Sequence, residues 1–223
     1  MSLTLYYHPL ASYCHKVLIA LYEHGIECDK RIVNLGDATE RAELAALWPM
    51  AKFPVIHDHA RKRDVAESSI IIEYLDHHFV VAHPMIPADR DAALEVRLWD
   101  RIFDNHVHEP MQQIVADKLR GSNGGTSDER SGDTSGERSR IATAYGMIDR
   151  QLASRTWVAG QDFSMADCAA TPALFYAHTL VPFPDGIKRK EGLGLLHHPP
   201  HRRPFHQPLE ISLQAVHTVR ERH

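Results

Sequence analysis

Two short stretches hold residue types able to do chemistry. Lys52-Phe53-Pro54-Val55 puts a proline at the mouth of an apolar, β-forming run, where it cannot donate to a strand ladder. Glu67-Ser68-Ser69 places a carboxylate and two hydroxyls at the opening of a helical pattern. A helix start carries free N–H groups and the positive end of the dipole, so it attracts a carboxylate. The plainer role for Glu67 and Ser68 is to cap that helix. Histidines recur at His57-x-His59, His77-His78 and His197-His198, but none has flanking ligands at a helix or zinc-knuckle spacing. No metal is expected.

The elements that position these residues follow from periodicity. Leu3 to Tyr7 reads as a strand, broken by His8-Pro9. Ser12 is then expected to cap a helix whose stripe includes Val17, Leu18 and Leu21, stopping at a left-handed Gly25. Glu27 to Leu35 reads as a second strand, parallel to the first because a helix joins them. A helix over 41–47, the Pro54 strand, a short strand near Asp64 and a helix over 68–79 complete a βαβαββα unit of about 80 residues. Residues 81–90, with prolines at 84 and 87, read as a linker. From residue 91 to 186 the pattern is helical: 91–107, a resumption over 111–119 after Pro110, 141–152 and 164–179. Ser164-x-x-Asp167 is a capping-box variant. Residues 121–140 read as a polar loop, and 187–223 as an atypical tail without a period.

Bulk properties narrow the classes. The chain has 223 residues, 25 basic and 29 acidic, for a net charge of −4. That balance gives no electrostatic case for nucleic acid or an anionic membrane surface. No apolar run approaches the ~20 residues of a membrane span, and the N-terminus lacks a basic-then-apolar leader. Cys14, Cys28 and Cys168 are too few and too irregular for a disulfide framework. A cytoplasmic protein is expected.

Four segments carry a resemblance: "LYYHPLASYCHKVLIAL" (5–21), "KFPVI" (52–56), "AESSIIIEYL" (66–75) and "VAGQDFSMADCAATPAL" (158–174). In this order they resemble the cytosolic glutathione transferases, across about 180 residues. The resemblance implies an α/β thioredoxin-like N-terminal domain followed by an all-α helical bundle. It also implies glutathione as co-substrate, a small electrophile as partner and a homodimer. Pro54 would follow a cis bond, so that Phe53, Pro54 and Val55 offer main-chain groups to the tripeptide as an added strand would. Ser68 would take the γ-glutamyl carboxylate, Glu67 the ammonium, and Lys52 the glycyl carboxylate.

The same resemblance requires a group that stabilises the thiolate of a thiol whose free pKa is near ~8.5. Serine- and cysteine-type members carry it three residues before the position of Cys14, and here that residue is Ala11. Ser12 is the favoured donor and Tyr7, at the end of the first strand, the alternative. With Ala11 there is no Cys-x-x-Cys pair, which disfavours disulfide exchange. The electrophile is expected near Asp100, Phe103, Asn105 and His106. A non-catalytic glutathione-binding or interaction module, and a glutathione-dependent isomerase or peroxidase, remain open.

Overall fold

The computed structural model describes residues 2–122 and 133–184, the side chains of 121 and 122 aside. The chain divides into two compact units, parting between Ile86 and Pro87. The tail expected over 187–223, and the centre of the expected polar loop, lie outside the described residues.

The first unit is a four-stranded sheet in the order β2-β1-β3-β4. The strands are β1 (Leu3–Tyr7), β2 (Asp29–Ile32), β3 (Val55–Asp58) and β4 (Arg63–Ala66). Helices α1 (Ser12–His24), α2 (Ala38–Leu47) and α3 (Ser68–His78) connect or follow them. β1 and β2 run parallel, as a helical crossover requires, and β3 pairs antiparallel with both β1 and β4. Alternation of side chains divides the sheet faces. Leu3, Leu5 and Ile56 meet Val17, Leu18 and Leu21 of α1 and Ile71 and Leu75 of α3. Val55 belongs instead to a second cluster with Val33 and Leu44 of α2.

Pro54 precedes β3 and does not lie within it, so its missing N–H costs the ladder nothing. β2 is shorter than the 27–35 expected and all four of its residues are exposed. It is an edge strand, so burial imposes no alternation on it. Ser12 is not the cap of α1. The N-cap is Ala11, with extended backbone and no side-chain bond, and its carbonyl accepts from Cys14 and His15 N–H. Gly25 ends the helix at φ 65°, as expected.

Two carboxylates, Asp58 buried and Asp76 half-buried, hold this unit. Asp58, at 0% exposure, accepts from the Arg61 N–H (2.9 Å), the Arg61 guanidinium (3.0 Å) and the Tyr74 hydroxyl (2.8 Å). Burial alone would raise this carboxyl, but those donors together hold it below the usual range. Asp76 accepts from Met85 N–H (3.1 Å) and Ile86 N–H (2.9 Å), and His24 Nε2 lies 2.9 Å from it. The stretch expected as a linker is therefore fastened to α3 at its end, with Met85 only 2% exposed.

The second unit holds α4 (Arg90–Phe103), α5 (Glu109–Ser122), α6 (Ser135–Gln151) and α7 (Met165–Leu180). A π-helical turn over Asp104–His108 joins α4 to α5 without a break. Pro110 was expected to interrupt the helix. The widened turn immediately before it accommodates a residue that lacks an N–H and clashes with the carbonyl four residues back. α5 and α6 extend to Ser122 and from Ser135, so both ends of the expected 121–140 loop are helical. α7 is buried nearly all round, the mark of a central helix. Its N-terminus carries the expected capping box between Ser164 and Asp167.

Candidate functional site

Strand register brings the Lys52–Val55 and Glu67–Ser69 stretches together. Val55 pairs with Ala66 across β3 and β4, so the residues on either side, Pro54 and Glu67, emerge at the same end of the hairpin. Val55 also faces Tyr6 of β1, which brings the β1–α1 loop to that end. The Phe53–Pro54 bond is cis. Pro54 is buried, Phe53 partly so, and Val55 fully, at 0% exposure.

The start of α3 is open. Its N-cap Glu67 makes no side-chain cap bond and has φ 67°, ψ 116°, a left-handed conformation uncommon outside glycine. Such conformations cost roughly 1–3 kcal/mol and concentrate at ligand sites. The capping role for Glu67 is thereby overturned. Among the described residues its exposed carboxylate has no ion pair or hydrogen bond. Ser68 follows at 7% exposure, and its hydroxyl too has no partner among the described residues. Ser69 differs: its hydroxyl accepts from Lys16 Nζ at 2.8 Å. Lys16 is wholly buried, so an ammonium on α1 fixes where α3 begins.

The start of α1 is also uncapped. Ala11 has no side-chain acceptor, and the first N–H groups of the helix point along its axis past the helix start, as in any α-helix. Ser12 is the first helical residue, 4% exposed. The preceding loop is rigidly held. Ala11 N–H donates to His8 O (3.0 Å), Leu10 N–H to His8 Nδ1 (3.2 Å), and His15 Nε2 lies 2.7 Å from Pro9 O. His8 stacks on Phe53, ring centroids 5.8 Å apart and 17° from parallel. That stack joins the α1 loop to the cis-proline loop.

Tyr7 ends β1 directly before His8, and Lys52 directly precedes Phe53; the other expected residues differ in their surroundings. Tyr7 packs with Tyr22, Ile26 and Cys28 beside the α1–α3 core. Burial pushes its phenol up, against the pull of Lys30. Lys52 is exposed, with no partner among the described residues. Asp100 and Phe103 are 1% and 0% exposed, whereas Asn105 and His106 are exposed. These four do not share one open surface, because the α4 stripe turns Asp100 and Phe103 into the bundle. Burial pushes the Cys14 thiol up to about 12, so it is an unreactive core group. His57 pairs with Asp64 at 2.7 Å and His59 with Thr4 at 2.9 Å, and among the described residues no three His, Cys, Asp or Glu gather as metal ligands. Sequence reasoning missed His8 and Lys16. Nothing in their sequence surroundings points to their partners: Lys16 directly precedes the apolar run Val17 to Leu21, and His8 precedes a proline.

The N-terminal domain of the glutathione S-transferases matches residues 5–82, and the C-terminal domain of the same family matches residues 115–198. The stringent starvation protein A homolog of Coxiella burnetii is 29% identical over 174 residues, 78% of this chain and 75% of that protein. FtsZ-localized protein A of Caulobacter vibrioides is 29% identical over 182 residues, 77% of this chain and 75% of the relative. A crystal structure of a glutathione S-transferase from Methylobacillus flagellatus with glutathione bound superposes with a TM-score of 0.76. It is 26% identical, and the match covers 93% of this chain and 98% of that one. Among the described residues no helix is long and apolar enough to cross a membrane.

Proposed function

The chain belongs to the glutathione S-transferase family, and from that premise we propose that it is a cytoplasmic glutathione transferase, joining the glutathione thiol to small electrophiles. The observation that carries this reading is the open start of α3. A nearly buried Ser68 hydroxyl and an unpaired Glu67 carboxylate stand at an uncapped helix end. In this reading Ser68 and the first α3 N–H groups hold the γ-glutamyl carboxylate, helped by the helix dipole, and Glu67 holds the ammonium. Phe53, Pro54 and Val55 take the cysteinyl main chain, and Lys52 reaches the glycyl carboxylate. The sulfur then lies at the uncapped start of α1, where N–H groups and the Ser12 hydroxyl stabilise the thiolate. Ser12 is favoured over Tyr7 because it stands in the first turn of α1, beside those N–H groups.

Ser12→Ala is expected to raise the pH midpoint of thiolate formation in the complex by about one unit, lowering conjugation of a chlorodinitroarene about tenfold near neutral pH. Unchanged turnover would remove Ser12 from the reaction and leave the role to Tyr7.

One observation favours a second reading, that of a glutathione-binding or interaction module. Ala11 occupies the position where serine- and cysteine-type transferases carry their active group, and relatives include a stringent starvation protein A homolog and an FtsZ-localized protein. Glutathione binding without turnover on conjugation, peroxide and isomerase substrates would favour it. Leu94 and Leu98, 63% and 52% exposed one turn apart on α4, support a homodimer burying that stripe. A monomer mass in sedimentation equilibrium would contradict that part.

A further inference from the structure

Ala11 leaves the thiol without the usual side-chain donor, and the geometry around His8 points to a replacement. We propose that His8 donates a hydrogen bond from Nε2 to the glutathione sulfur, a role that rests on the glutathione reading above. Its main chain is pinned from two sides: the carbonyl accepts from Ala11, and a hydrogen bond from the His8 main chain reaches the Cys14 sulfur. Its ring is pinned from two more: Phe53 lies against one face, and Leu10 N–H donates to Nδ1 at 3.2 Å. The last contact fixes the tautomer. A nitrogen that accepts an N–H must offer a lone pair, so the proton of the neutral ring belongs on Nε2.

That second nitrogen is unspent. Among the described residues His8 has no further hydrogen bond, ion pair or ring contact. His8 as a residue is only half-buried. An oriented N–H thus stands on the loop that joins Phe53-Pro54 to the start of α1. These are the two pieces that hold the cysteinyl residue in the proposed complex. A preorganised donor aimed at developing charge stabilises a thiolate as it would an oxyanion. His8 holds the donor that a serine at position 11 would have supplied, one turn earlier in the chain.

The test is the pH midpoint of thiolate absorbance for glutathione bound to the full chain. His8→Phe keeps an aromatic ring over Phe53 and deletes the donor. The midpoint is expected to rise by about one pH unit, roughly a tenfold loss of thiolate near neutral pH, with glutathione affinity within about threefold of wild type. A wild-type midpoint in His8→Phe that still binds glutathione would overturn the role of His8 and leave the glutathione reading standing. Failure of the wild-type chain to bind glutathione would overturn both. A second measurement needs no variant. In nitrogen-edited NMR of the wild type, the His8 Nε2–H signal is expected to shift with reduced glutathione and to stay in place with the analogue bearing alanine for cysteine. Equal shifts with both ligands would overturn the proposal even if His8→Phe did not fold.

Discussion

Ser68→Ala is expected to weaken glutathione binding about ten- to a hundredfold while leaving the unfolding free energy within ~0.5 kcal/mol of wild type. The two halves of that expectation have one cause. The Ser68 hydroxyl has no partner among the described residues, so its removal takes nothing from the fold. In the complex the same hydroxyl would donate to a carboxylate at a nearly dry helix start, and charge-assisted hydrogen bonds are worth roughly 1.5–3 kcal/mol. Glu67→Gln should act in the same direction, through the ligand's ammonium. A helix-capping role would give the opposite pattern, lost stability with affinity unchanged. Calorimetric titration beside urea unfolding separates the two, and unchanged affinity in Ser68→Ala would contradict the assignment.

Asp167→Ala is expected to cost about 3 kcal/mol or more of stability. Asp167 is 0% exposed and accepts from Val158 N–H (2.9 Å), Ser164 N–H (3.0 Å) and the Ser164 hydroxyl (3.0 Å). Truncation strands these buried donors at the start of the central helix, and each orphan costs roughly 1–3 kcal/mol. The pH dependence has a defined sign. Burial pushes the carboxyl up to about 6, against the pull of its three donors, while in the unfolded chain it titrates near ~3.9. The folded state therefore takes up a proton first as pH falls. The stability contributed by Asp167 titration is fully present below about pH 4 and is lost as pH rises through about 6. The gap in urea-unfolding free energy between wild type and Asp167→Ala should thus be widest near pH 4 and narrow toward pH 7. A gap that widens toward neutral pH would show that the ionised form is the stabilising one.

The βαβαββα order and the helical second half were legible because they rest on long-range consistency of pattern. Leu3 and Leu5 alternate on β1, the α1 stripe repeats helically, and Gly25 and the Ser164–Asp167 box punctuate two ends. What escaped has identifiable physical reasons. β2 is an exposed edge, so no burial period marks its limits. The continuity of α4 into α5 through Pro110 depends on a wide turn that no residue type announces. Ser12 looked like a cap because serine is a common one, but Ala11 holds the capping backbone. In the site, Glu67 and Ser68 were readable from their place ahead of a helix. His8 and Lys16 were not, since their roles come from contacts with Phe53 and Ser69, dozens of residues away.

That the first unit receives a γ-glutamyl head at residues 67–68 is tested most directly by calorimetric titration of the full chain with reduced glutathione and with cysteinylglycine, which lacks that head. Saturable binding of glutathione, with cysteinylglycine at least about tenfold weaker, is the predicted result. No saturable binding of glutathione, or equal affinity for the two, would contradict it.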